Sequence, residues 1–183
     1  QVAGLSAAQF AGLGTDDLAA MSSTQIAVLG TAQAAALSGQ QLAAIETADI
    51  GALSTAALRA LGADQVAAFT SGQFAALSSA QAVALTADQI AGLGTANLNA
   101  LGTSQFAALS SAQVAAISAA QAAKLENADV AALSTAAVKG LSQEAIAALT
   151  TGQVVAMTSA QVGALSSGQM SAMTNADLAK LES

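Results

Sequence analysis

TSGQFAALSSAQAVALTADQIAGL, residues 70–93, is three octads laid end to end: TSGQFAAL, SSAQAVAL and TADQIAGL. Each opens on a hydroxyl residue, places Gln three positions later, follows it with an apolar side chain and closes on Leu. The phrase continues outward in both directions without slipping, so that seven leading residues and 22 octads account for all 183. A fixed repeat is read before any single-residue motif, because it sets which positions are equivalent.

With the sites lettered a to h from Gln1, site a holds 15 Gln, 4 Asp, 1 Asn and 3 Ala. Site b carries a larger apolar side chain except at Ala34, Ala82 and Ala122, and site e is Leu, Ile, Met or Phe in every copy. These two sites are the expected core. Leu5, Leu13, Leu29, Phe69, Leu93, Leu109, Leu133 and Leu165 represent it at e, and Phe10, Phe74 and Phe106 stand at b. Sites c, d and h are mostly small, f is Ser, Thr, Gly or Glu, and g is mostly Ser or Thr.

The octad interior, Gln-Val-Ala-Ala-Leu in its commonest form, consists of strong helix formers with apolar residues three apart, the spacing of one helix face. A continuous helix fails nevertheless. Eight residues at about 100° each turn through roughly 800°, so the b/e stripe would rotate about 80° per octad and wind around the rod. A ratio of 4.0 residues per turn also lies well above that of right-handed coiled coils. Strands fit no better, because b and e differ in parity and would point to opposite faces.

The breaks between short helices are written at f and g. Ser or Thr followed three residues later by Gln or Asp is a capping box, as in Ser22 with Gln25, Ser78 with Gln81, Ser110 with Gln113 and Thr158 with Gln161. The pairs Gly14-Thr15, Gly30-Thr31, Gly94-Thr95 and Gly102-Thr103 leave a second placement open, in which Gly ends one helix and Thr caps the next. Either way each octad is a helix of about one and a half to two turns, restarted without a loop. Helices so short hold only against neighbours. The expected fold is therefore all-α, a solenoid of very short capped helices with one helix per eight-residue repeat. Asp17, Asp49, Asp129 and Asp177, separated by multiples of 16, point to two helices per coil. The unbroken register predicts a single array over residues 1–183, a partial repeat at 1–7 followed by the octads, read as a piece of a longer product.

Composition excludes much chemistry. There is no His, Cys, Tyr or Trp, so Ser-His or Cys-His catalysis and imidazole or thiolate metal sites cannot be built. The expectation is no enzyme, with no catalytic, cofactor-binding or metal-binding residues, no cofactor and no small-molecule substrate. A net charge of −7, with only four Lys and Arg, argues against nucleic acid. Polar residues interrupt the apolar ones every few positions, which argues against membrane insertion. Three carboxylate pairs remain: Asp16 with Asp17, Glu46 with Asp49, and Glu126 with Asp129. Each falls at a helix start, where the dipole favours negative charge, and capping is the reading preferred over a calcium contact. The Gln series reads as capping or coil-to-coil hydrogen bonding rather than as a binding strip.

Tracts such as AALSSAQVAAIS, AALTTGQVVAMTS and AALSTAAVKGLS resemble the Ala/Gln/Ser/Thr-rich octapeptide tracts of large secreted or surface-associated bacterial adhesin-like proteins. The resemblance covers the whole chain and implies a secreted or cell-surface, bacterial, repetitive structural segment, with no ligand attached. The first expectation for function is thus a structural spacer, stalk or filament segment, with copies of itself end-to-end or side-by-side as partners. The alternatives are an ice- or surface-binding protein using in-register Ser and Thr, and a peptide-binding solenoid.

Overall fold

The computed structural model describes residues 2–181. Among them lie a 3-10 turn at Val2–Gly4, 22 α-helices of four to seven residues, and no strand. One helix per octad is what the repeat requires. The connection from Thr31–Ala36 to Gly39–Ala44 shows how the chain breaks. It consists of two extended residues, Leu37 at φ −72° and ψ 140° and Ser38 at φ −73° and ψ 160°. Leu37 closes the preceding turn through its N–H to the Ala34 carbonyl at 3.1 Å, and Ser38 opens the next helix by accepting the Gln41 N–H on its hydroxyl at 3.2 Å.

The cap lies at f throughout. Gly14, Gly30, Gly94 and Gly102 are N-caps with φ between −65° and −84°, and Thr15, Thr31, Thr95 and Thr103 are first helical residues. The alternative with a helix-ending glycine is therefore corrected. No described residue has a positive φ, so no left-handed C-cap exists to call for glycine.

The chain forms two compact units, residues 1–101 and 102–183. In the first, the helices stand in three columns of four, each helix packing on the one three places later. One column is Ala7–Ala11, Thr31–Ala36, Thr55–Ala60 and Ser79–Ala84. The second is Thr15–Ala19, Gly39–Ala44, Ala63–Ala67 and Ala87–Ala91, and the third is Ser23–Ala27, Thr47–Ile50, Ser71–Ala76 and Thr95–Asn99. The second unit has the same rule, as in the column Thr103–Ala108, Asn127–Ala132, Thr151–Ala156 and Asn175–Leu181.

The expectation of two helices per coil is therefore wrong, since that coil would stack each helix on its second neighbour. One extended residue and one cap turn the chain through about a third of a circle rather than half, and three inward b/e faces then enclose a common core. The spacing of Asp by multiples of 16 reflects no packing period.

Sites b and e supply that core. Phe10, Leu42, Phe74, Leu98, Phe106 and Val154 are fully buried, and Leu29, Phe69, Leu93, Leu109 and Leu133 are buried at 2–4% exposure. Each such side chain contributes about 1.5–3 kcal/mol through removal from water, which no four- to seven-residue helix could supply alone. Leu5, Leu13 and Leu165 are only half-buried. They belong to the first and last coils of the described chain, which have a neighbouring coil on one side only. Phe69 and Phe74 pack ring against ring at 5.8 Å between centroids, inside the favourable range for tilted aromatic pairs.

Candidate functional site

The most repeated polar arrangement is built on site a, whose side chain projects from the third helical residue. The Oε1 of Gln73 accepts the Thr70 backbone N–H at 2.9 Å, while its Nε2 donates to the carbonyls of Leu42 at 2.9 Å and Ile45 at 2.7 Å. A single amide thus caps the start of its own helix and the end of a helix in the preceding coil, where terminal carbonyls have no intrahelical donor. Gln81 repeats this on Ser78, Ile50 and Leu53, and Gln89 on Thr86, Leu58 and Leu61. In the second unit Gln153, Gln161 and Gln169 do the same, with donor-to-carbonyl distances of 2.7–3.0 Å to residues 31 and 28 positions earlier.

These spacings place the first turn of each helix over the junction between the helices three and four places before it. They also explain why a polar residue sits in the interior. Gln73, Gln89, Gln153 and Gln161 are each 1% exposed, a burial that costs free energy unless donor and acceptor are both satisfied. Buried in this way, they present no binding strip. Gln9 and Gln25, in the first coil, keep the local half of the arrangement, accepting the N–H of Ser6 and of Ser22 at 2.8 Å each, and are exposed.

The cap residues expected from sequence are placed as follows. Ser22 N–H and hydroxyl both donate to Gln25 Oε1, at 2.8 and 3.0 Å. Ser78 and Gln81 close the reciprocal pair at 2.9 and 3.2 Å, Ser110 and Gln113 at 3.0 and 3.3 Å, and Thr158 and Gln161 at 2.7 and 3.2 Å.

At three of the shorter site-a residues, Asp49, Asn97 and Asp177, a hydroxyl at g 26 residues earlier reaches across the coils. Ser23 donates to Asp49, Ser71 to Asn97 Oδ1 at 3.0 Å, and Thr151 to Asp177 Oδ1 at 2.9 Å. Sequence reasoning missed these pairs. Their only trace is a Ser or Thr set 26 residues before Asp49, Asn97 and Asp177, and that spacing has no meaning until the coil size is known.

The carboxylates are dispersed. Asp17 accepts the Gly14 N–H at 2.9 Å, and Glu46 and Glu126 are themselves N-cap residues. Asp129, 3% exposed, is the exception: burial, with the nearby Glu126 charge, pushes its carboxyl up to about 6. No group of three metal-ligating side chains occurs among the described residues. No described helix is long and apolar enough to cross a membrane.

The ALTTAQ repeat matches residues 10–44, 42–79, 90–125, 122–159 and 146–175. The chain belongs to the ALTTAQ repeat family. Its letters run from site d through e, f, g and h to a, as in Ala148-Leu149-Thr150-Thr151-Gly152-Gln153. An ALTTAQ phrase therefore joins the core residue at e, the cap at f and the bridging amide at a. Four of the five matched stretches, all but 146–175, are long enough to contain a whole bridge between Gln and a carbonyl 31 residues earlier. No curated protein matches the chain.

Proposed function

We propose that this ALTTAQ chain is a structural spacer, a stalk or filament segment of a secreted or cell-surface bacterial protein, and not an enzyme. The observation that carries the reading is the double use of the site-a amide. Gln73, Gln81, Gln89, Gln153, Gln161 and Gln169 each fix their own helix start and the preceding coil's helix end, so the recurring chemistry of the octad is spent on holding one coil to the next. An ice-facing role would draw on in-register hydroxyls instead. Those at Ser38, Ser78 and Thr158 accept their own helix N–H groups, and Ser23, Ser71 and Thr151 reach across to the next coil. The surface placement follows from the resemblance to adhesin-like tracts.

The test is a ruler experiment. Two fluorescent reporters are fused to the ends of chains carrying progressively more octads, and energy transfer is measured with helicity followed in parallel. A spacer gives transfer that falls stepwise with octad number at constant helicity per residue. Transfer that does not change with octad number, or changes only on unfolding, overturns the reading.

A further inference from the structure

Three consecutive site-a residues without Gln occur once in the chain, at Asp129, Ala137 and Ala145. With three helices to a coil, that run is one whole coil: Asn127–Ala132, Thr135–Val138 and Gln143–Ala147, which pack on Thr103–Ala108, Ser111–Ala115 and Ala119–Ala122. Among the described residues, the interface between 103–122 and 127–147 therefore has no site-a amide bridge. The next interface has three, from Gln153, Gln161 and Gln169, each donating to at least two carbonyls. In the first unit the nearest counterpart, the pair Asp49 and Ala57, is followed by Gln65, which reaches the Ala35 carbonyl at 3.2 Å.

Only the coil-to-coil half of the arrangement is missing there. The Ser134 and Ser142 hydroxyls still accept the Ala137 and Ala145 N–H groups at 3.0 Å each, so those helix starts are capped. The Leu109 and Ile117 carbonyls, 28 residues earlier and so placed where a bridging amide would donate, receive no hydrogen bond among the described residues. Asp129 is 3% exposed, and its side chain makes no hydrogen bond among the described residues. Buried apolar side chains such as Phe106, Val114, Val138 and Ile146 hold the interface, with Gly140 close over the Ser111 backbone. Apolar packing of this kind recurs at every interface, so the amide bridges make the difference. The stability of a repeat array is approximately a sum of repeat terms and terms for neighbouring interfaces, and the interface without donors is the one that opens first. We propose that it is a built-in parting plane, at which residues 127–147 separate from residues 103–122 while the bridges from 151–172 still hold 127–147. The second unit then yields in steps rather than at once. This goes beyond the spacer reading and stands whether or not the chain separates other modules.

The chain has no Cys, so a single introduced thiol reports opening without background. Ala145, at the parting plane, and Ala57, in the first unit, are matched: both are site-a alanines at 0% exposure whose N–H is accepted by a Ser hydroxyl. Ala145→Cys and Ala57→Cys are compared for reaction with a water-soluble disulfide reagent below the urea concentration of global unfolding, each rate divided by that of the unfolded chain. The thiol at 145 is expected to react ~10-fold faster or more. Adding Gln65→Ala to the Ala57→Cys chain leaves three consecutive site-a residues without an amide and is expected to raise its rate by a similar factor. Hydrogen exchange on the unmodified 183-residue chain reads the same opening without any substitution. The Ala137 and Ala145 N–H groups are expected to exchange ~10-fold faster or more than those of Gln73 and Gln81, which have the same local cap at 3.2 Å. Equal rates at the two thiols, a rate at 57 unmoved by Gln65→Ala, or equal exchange of the four N–H groups overturns the proposal.

Discussion

Gln73→Glu separates the two roles of the bridging amide. The introduced carboxylate still offers an oxygen to the Thr70 N–H, 2.9 Å from Oε1 in the parent, so the local cap survives. What disappears is the donor to Leu42 and Ile45, and a negative charge takes its place against two carbonyl oxygens at a site 1% exposed. The Leu42 carbonyl still accepts the Ile45 N–H at 3.2 Å, so the Ile45 carbonyl is the acceptor left unsatisfied, at a cost of about 1–3 kcal/mol before any charge repulsion. Gln9→Glu is the matched control, because Gln9 is exposed and, among the described residues, its side chain is bonded only to Ser6. It is expected to change stability by less than about 0.5 kcal/mol, with a small gain from negative charge near a helix start. Urea unfolding followed by circular dichroism measures both. The Gln73→Glu loss is expected to shrink at acid pH, where a protonated carboxyl regains one donor. Equal effects of the two substitutions, or a Gln73→Glu loss that does not vary with pH, would refute the view that coils are held by the amide donors.

Three further outcomes follow from the same geometry. A Cβ at Gly140 would lie 2.1 Å from the Ser111 carbonyl oxygen whereas one at Gly163 meets open space, so Gly140→Ala is expected to lower the unfolding midpoint sharply. Gly163→Ala, inside a helix, is expected to raise stability by about 0.4–1 kcal/mol. The Asp129 carboxyl, held near 6 in the folded chain against about 4 unfolded, binds its proton more tightly when folded, so its contribution is present below pH 4 and is lost as pH rises through about 6. Asp129→Asn is expected to stabilise the chain at neutral pH by about 1 kcal/mol, after allowance for solvent screening, with the difference gone at pH 4 in a denaturation series. Deleting residues 55–62 passes each Gln bridge to an equivalent octad and is expected to leave helicity per residue unchanged, while deleting residues 55–58 breaks the register and melts the adjoining coils.

The period, the helical nature of each octad and its punctuation were legible in the sequence because they are local. A hydroxyl at 78 and a Gln at 81 find each other within one turn, and side chains at b and e share a helix face wherever the coil goes. Coil size was not legible, because it depends on the angle turned through residues such as Leu37 and Ser38, and no residue type there encodes a third of a circle. The four Asp at site a misled for the same reason: their spacing is a sequence regularity unconnected to packing. The recipients of the glutamine's coil-to-coil bond were also hidden. Its oxygen has a recognisable local partner, but its nitrogen binds backbone carbonyls, which every residue possesses, so nothing marks Leu42 or Ile45 as recipients. The reduced burial of Leu5, Leu13 and Leu165 comes from their place in terminal coils, which identical octads do not reveal.

The bridges span at most 31 residues where they are described, and this bears on how the chain is made. Gln33 reaches Leu5 once little more than four octads exist, so a growing polypeptide can begin locking itself together soon after it leaves the ribosome. Domains that need their last strand to close must wait for synthesis to finish. Here each new octad arrives at a surface already prepared to receive it, and lengthening the gene would lengthen the task without making any step of it harder.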